Sequence, residues 1–183
     1  MSATAPERFE TDRLLLRKPT PADADKIFSR YSSDPRVTRY LGWPRHTSVD
    51  DARAFLAFSD AQWQKWPAGP YLIESLADRR LLGGTGFTFE APRIAVTGYV
   101  LAKDAWGVGY ATEALAAIVA IASTLPVARL YALCHPDHAA SVRVLEKCGF
   151  LFEERLSGFA GFPNLGSPGP HECLRYGRTF SVQ

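Results

Sequence analysis

The sequence predicts a mixed α/β (α+β) fold, a mostly antiparallel twisted sheet of roughly six to seven strands flanked by about four helices. Three observations carry this. Residues 71–76 and 81–89 are apolar, strand-like runs joined by Ala77-Asp78-Arg79-Arg80, which reads as a hairpin. A third such run, residues 94–101, follows the break at Ala91-Pro92. Two segments with helical apolar spacing, residues 110–123 and 138–148, are each followed by another strand-like run. A meander combined with a crossover unit gives a sheet that is neither purely parallel nor purely antiparallel.

The remaining elements follow in chain order. Residues 1–10 read as a loose leader. Leu14-Leu15-Leu16 marks a first strand. Thr20, Pro21 and Asp23 supply a capping hydroxyl, a proline suited to the first turn and an acid for the helix N-terminus. Ala24, Ile27, Phe28 and Tyr31 continue that helix, and Asp34-Pro35 ends it. Ser48 starts a second helix with Asp50 and Asp51 in its first turn and Ala52, Phe55, Leu56 and Ser59 on one face. Gly149 stops the helix that begins at Asp137 or His138. Residues 129–134, 150–156 and 173–180 are the last strands. The Gly/Pro-rich stretch 158–170 between the final two is long enough to be a functional loop.

Composition narrows the function. A chain of 183 residues suits one domain, and an apolar content of 46% fits a packed core rather than disorder. A net charge of +2 is too mild to imply nucleic acid, and no apolar run is long enough for a bilayer. Cys134, Cys148 and Cys173 form no framework spacing and read as free thiols in a reducing compartment. The first ten residues lack a secretory h-region. The expectation is a cytoplasmic protein, monomer or homodimer, without nucleic-acid or membrane partners.

The strongest local signal is a strand, then Trp106-Gly107-Val108-Gly109-Tyr110-Ala111-Thr112-Glu113, then a helix. A helix start leaves backbone N–H groups unpartnered at the positive end of the macrodipole. Glycines allow a tight turn and close approach of a phosphate, so the segment reads as an anion site suited to a diphosphate. It is not a P-loop, because no G-x-x-x-x-G-K-[ST] is present. The dinucleotide fingerprint is incomplete, with Thr112 in the third glycine position.

Residues 97–101 with the 106–115 segment resemble the core of the GCN5-related N-acetyltransferase (GNAT) superfamily, closest to its ribosomal-protein alanine acetyltransferase (Rim-type) branch. A second block, His138-Ala139-Ala140-Ser141 through Cys148-Gly149-Phe150, is similar to that family's second signature, and the likeness extends over residues 11–180. The resemblance implies a GNAT-like sheet opened in a V and transfer of an acetyl group from acetyl-coenzyme A (acetyl-CoA) to a primary amine by direct attack. The amine would be a protein N-terminus or a small molecule, and no metal is needed. The amides of Gly107, Val108, Gly109, Tyr110, Ala111 and Thr112, beside Trp106, would hold the CoA diphosphate. A backbone N–H of Tyr99, Val100 or Leu101 would polarise the thioester carbonyl.

The departures from the family pattern matter. His138 stands where relatives have Asn, and Leu145 where many have the Tyr that protonates the thiolate. Ser141 matches the serine of the Rim-type branch, the implied proton donor there. Val96 occupies the place of that branch's usual carboxylate base. His138 and Ser141, one turn apart, are therefore the candidate catalytic and cofactor-contacting pair. Among the glutamates, Glu90 is favoured over Glu74 and Glu172 as base. Trp43 and Phe162, in loops, are candidates for the acceptor site. Cys134, His135, His138, His171 and Cys173 match no zinc spacing. The alternative function is a CoA-binding sensor or interaction module with attenuated catalysis, motivated by Val96 and His138.

Overall fold

The computed structural model describes residues 3–159, 161–167 and 169–181. Eight strands form one sheet in the order β1-β2-β3-β4-β5-β6-β8-β7. They are β1 (Arg8–Glu10), β2 (Leu14–Arg17), β3 (Pro70–Ser75), β4 (Leu81–Ala91), β5 (Ile94–Leu101), β6 (Arg129–Cys134), β7 (Leu151–Phe159) and β8 (His171–Thr179). Every neighbouring pair is antiparallel except β5 and β6. The helices are α1 (Ala24–Ile27), α2 (Pro35–Thr38), α3 (Val49–Lys65), α4 (Tyr110–Ala122) and α5 (Ala139–Lys147).

Two expectations are corrected by count. The sheet has eight strands because the supposed leader contains β1, which pairs with β2 from Arg8↔Arg17 to Glu10↔Leu15. Ala5 is buried ahead of it, its N–H bonded to the Pro67 carbonyl. The residues before 3 lie outside the described residues. The described residues form five helices because Asp34-Pro35 starts a turn as well as ending one. The Asp34 side chain accepts the Arg36 N–H at 2.8 Å and Pro35 opens α2. The predicted first helix is itself divided, with a 3-10 turn at Pro21–Asp23, then α1, then a π turn at Phe28–Ser32. The 158–170 loop is also shorter than expected, since β7 runs on to Phe159 and β8 begins at His171. Residues 160 and 168 of that loop lie outside the described residues.

Other local signals are realised in place. Ser48 caps α3 with Asp51 in a capping box. Gly149, at φ +77°, ends α5, and the Phe150 N–H reaches back to the Leu145 carbonyl at 3.0 Å. Leu14, Leu15 and Leu16 are all fully buried, which requires cover on both faces of β2.

Two cores lie on the two faces of the sheet. One packs α4 and α5 with Ala95 and Leu101 of β5, Leu130 and Ala132 of β6, and Phe150. The other packs α1 and α3 with Leu72, Leu81 and Ala102. Arg17 anchors the second face. It forms two hydrogen bonds to Asp23 (2.7 and 2.9 Å) and one to Glu74 (2.8 Å). Burial pushes the Asp23 carboxyl up, but hydrogen bonds from Arg17 and Thr20 outweigh it and hold it below the usual range.

Candidate active site

The site begins where the sheet opens. β5 and β6 pair only at Ile94↔Arg129, Ala95↔Leu130 and Val96↔Tyr131, although β5 continues to Leu101 and β6 to Cys134. Strand alternation tells which main-chain groups line the gap. The Ala102 N–H bonds the Leu82 carbonyl, so even-numbered β5 residues face β4. The Arg93 carbonyl accepts from Ala128 and Arg129, so odd-numbered residues face β6. The N–H groups of Tyr99 and Leu101 therefore point into the opening. Across it, the same count places the main chain of Leu133.

At the end of β5 the chain turns into α4. Gly107 and Gly109 adopt φ +79° and +87°, a left-handed region that other residues enter with strain. The first N–H of this segment to find a backbone acceptor is that of Glu113, which donates to Gly109. The amides of Gly107 through Thr112 have no hydrogen-bond acceptor among the described residues, and Gly107, Val108 and Gly109 are exposed. The turn is held from behind. Glu113 accepts from Thr11 Oγ1 (2.6 Å), the Arg13 N–H (2.9 Å) and Arg13 Nε (2.7 Å), while Arg13 Nη1 donates to the Val108 carbonyl. Trp106 is exposed and donates its indole N–H to the Leu101 carbonyl at 2.8 Å.

The opening leads into a cavity of about 950 Å³. Its wall includes His138, Ser141, Tyr99, Val100, Trp43 and Phe162, gathered from four separate stretches of chain. The Tyr99 hydroxyl donates to the Ser141 carbonyl (3.0 Å) and lies 2.8 Å from Ser141 Oγ. Burial raises the Tyr99 phenol well above its ordinary value, so it stays protonated. His138 caps α5 without using its side chain for the cap. Its ring stacks on Tyr40, which also stacks on His135, at 5.0 Å in each case. Burial, helped by nearby His135, lowers the His138 pKa below its ordinary value and favours the neutral ring. Cys134 also lines the cavity, and burial pushes its thiol up to about 12. A thiol held neutral in this way is a poor nucleophile.

Three predicted bases are elsewhere. Glu90 is exposed, at the end of β4 where β4, β5 and β6 are still joined, and its neighbour is Tyr131 rather than the cavity. Residues rise about 3.3 Å each along a strand. Five residues separate Glu90 from Thr85, the partner of Tyr99. Glu74 is buried in the Arg17 cluster and Glu172 is paired with Arg155. Leu101 is buried behind the opening, contributing main chain only.

The acceptor-side loops are tied by Asn164, which the sequence reading did not single out. Its Nδ2 donates to the carbonyls of Thr38 and Trp43, both at 2.8 Å, and its Oδ1 accepts the Arg45 N–H at 2.7 Å. Phe162 is buried, edge-on to His135. Among the described residues, no three His, Cys, Asp or Glu side chains are grouped to hold a metal ion.

Residues 13–151 match the acetyltransferase (GNAT) domain family. The chain belongs to the GNAT acetyltransferase family. Its curated relatives include the uncharacterized N-acetyltransferase YoaA of Bacillus subtilis (strain 168), 35% identical over 78% of this chain and 81% of that protein. Among solved structures, RimL, a ribosomal L7/L12 alpha-N-protein acetyltransferase in complex with coenzyme A, superposes with a TM-score of 0.84 at 21% identity. That match covers 97% of this chain and all of the other, 100%. The microcin C7 self-immunity acetyltransferase MccE, in complex with acetyl-CoA and AMP, gives 0.81 at 19% identity, covering 97% and 98%. At such identities these two structures establish the shared fold.

Membership makes the protein an acetyl-CoA-dependent acyltransferase of the GNAT type. The chain's own residues fit such a co-substrate on two independent counts, the run of unpartnered amides at a helix start and the unpaired strand edges beside it. The fold also explains the Tyr99–Ser141 contact. β5 presents Tyr99 on the α5 face, where Ser141 is the residue of α5 it meets.

Proposed function

We propose that this GNAT protein moves the acetyl group of acetyl-CoA directly onto a primary amine, either a protein N-terminus or the amine of a small molecule. The observation that carries this reading is the parting of β5 and β6 after Val96 and Tyr131, with the Tyr99–Ser141 hydroxyl pair at its wall. The amides of Gly107 to Thr112 hold the diphosphate, assisted by the α4 dipole. The thioester arm lies against the free strand edges. The Tyr99 N–H, or that of Leu101, faces the thioester oxygen and stabilises the charge that develops on it.

An alkyl ammonium has a pKa near ~10 and does not attack, so a base must remove its proton. His138 is the neutral base in the cavity wall, and it passes that proton towards solvent. The nitrogen forms a bond to the acetyl carbon and the carbon–sulfur bond breaks. The departing thiolate takes a proton from Ser141 Oγ, beside the Tyr99 hydroxyl, and the second proton of the attacking nitrogen, released as the amide forms, restores the serine hydroxyl. The raised thiol of Cys134 argues against an acyl-cysteine stage and for direct transfer.

The experiment is release of the CoA thiol from acetyl-CoA against a panel of amines, with the acetylated product identified by mass. Amine-dependent release with one acetyl group on nitrogen is the expected result. Tight CoA binding with no release across peptides, amino acids and simple amines would contradict it and leave a binding module.

A further inference from the structure

The half of the cavity facing α1, α2 and α3 has a wall chemistry that narrows the acceptor. Tyr31, Tyr40, Trp43, Phe55 and Phe58 line the cavity from this part of the chain, and Phe162 lines it from the loop before β8. Among the described lining residues the carboxylate is that of Asp51. That group is engaged in capping α3. Its Oδ2 accepts the Thr47 N–H (2.7 Å), the Ser48 N–H (3.1 Å) and the Thr47 hydroxyl (3.3 Å). At the foot of the gap, Val96 presents an aliphatic side chain to the same space.

A polyamine or other polycation must leave water with each ammonium paired or lose its hydration uncompensated. This wall offers no second carboxylate for that. It offers instead aromatic faces, which hold one ammonium over a ring and a flat apolar body by area, and the Arg45 side chain, which repels further positive charge. Among the buried polar lining groups of the described residues, one is left without a partner. His46 lines the cavity, its ring 5.2 Å from that of Trp43, and its buried Nδ1 has no hydrogen-bond partner among the described residues. A single donor or acceptor on the acceptor molecule satisfies it.

We infer that the acceptor is a monoamine carried on an apolar, aromatic body, and that polycationic amines are rejected by the aromatic chamber between α3 and the 40–46 loop. This deepens the acetyl-transfer reading and rests on it for the word acceptor. The selectivity is a property of binding and is measured separately.

The test uses the CoA-loaded protein and two probes of similar reach, 2-phenylethylamine and 1,5-diaminopentane. Calorimetry gives the affinity of each, and thiol release from acetyl-CoA gives turnover. The aromatic amine binds at least about tenfold more tightly. Phe58, half exposed at the cavity rim, is then changed to Glu. Phe58→Glu adds a free carboxylate and removes an aromatic face, so the ratio falls to about threefold or less while CoA affinity is kept. Equal or tighter binding of the diamine to the parent protein overturns the inference, as does an unchanged ratio in the variant with CoA binding intact. Selective binding with no thiol release from either amine upholds the chamber and refutes acetyl transfer to this class. Release with the diamine preferred does the reverse.

Discussion

The CoA side of the cavity is made of main chain, whereas the acceptor side is made of side chains. On the first, β5 and β6 separate and leave the N–H groups of Tyr99 and Leu101 facing a gap, and Gly107 and Gly109 turn the chain so that six successive amides are unpaired. On the second, aromatic rings from α3, the 40–46 loop and the loop before β8 are brought together by contacts such as those of Asn164, more than a hundred residues away from its partners. Main-chain sites tolerate sequence change as long as backbone geometry is kept. Side-chain sites change their ligand with a single substitution. Cofactor use and acceptor choice should therefore separate in mutants.

The largest expected break is at Gly109. Gly109→Asp adds a carboxylate to the turn and weakens CoA binding about 1,000-fold. Gly109→Asn, which tolerates the left-handed backbone and adds no charge, loses about tenfold or less. Calorimetric titration of both, with melting curves to confirm folding, checks the pair. Equal losses would mean that only backbone strain, not an anion, is at stake.

Next is Ser141→Ala, expected to lower kcat about 100-fold with the KM for acetyl-CoA within about threefold of the parent. Steady-state kinetics decide it, and an equal rise in KM would place Ser141 in binding instead. Asn164→Ala acts on the opposite side. It releases the loop hydrogen bonds and raises the acceptor KM about tenfold, while CoA affinity stays unchanged. A parallel loss of CoA binding would show that the two sides are not separable.

The smallest effect is in pH. Burial, with His135 close by, holds His138 below its ordinary value of about 6.5. A base with a lowered folded-state pKa binds fewer protons folded than unfolded. Its contribution to stability is present above about pH 6.5 and is lost as pH falls towards the folded value. If His138 takes the amine proton, the acid limb of kcat/KM lies below pH ~6.5 and His138→Gln removes it. A limb at or above that pH, or one that survives the substitution, points to another base.

The same division governs what was legible in the sequence. The turn at Gly107 and Gly109, the cap at Ser48, the stop at Gly149 and the extents of the central strands are local or periodic, so spacing and glycine placement reveal them. β1 was missed because three charged and aromatic residues, Arg8-Phe9-Glu10, show no run, and their strand character comes from pairing with β2. Asp34-Pro35 was read as a stop because a pre-proline residue leaves the helical region, and the same dipeptide caps the next turn. Glu90 was favoured because it ends a hairpin strand, near where the acceptor amine was expected to enter. The strands are still joined at its end of β5, and the gap opens only beyond it. The hydroxyl of Tyr99 was overlooked because its partner, Ser141, is 42 residues distant and on another element. Asn164 had no signal, since a loop asparagine shows its role only through its partners.

Amide hydrogen exchange with and without acetyl-CoA tests the central claim most directly, because it reads the main-chain groups themselves. In the free protein the amides of Gly107 to Thr112, with those of Tyr99 and Leu101, have no acceptor and exchange rapidly. Saturating acetyl-CoA should slow these two clusters together and leave the 40–46 loop unchanged. Protection of those amides before any ligand is added, or ligand protection confined to other segments, would contradict the account.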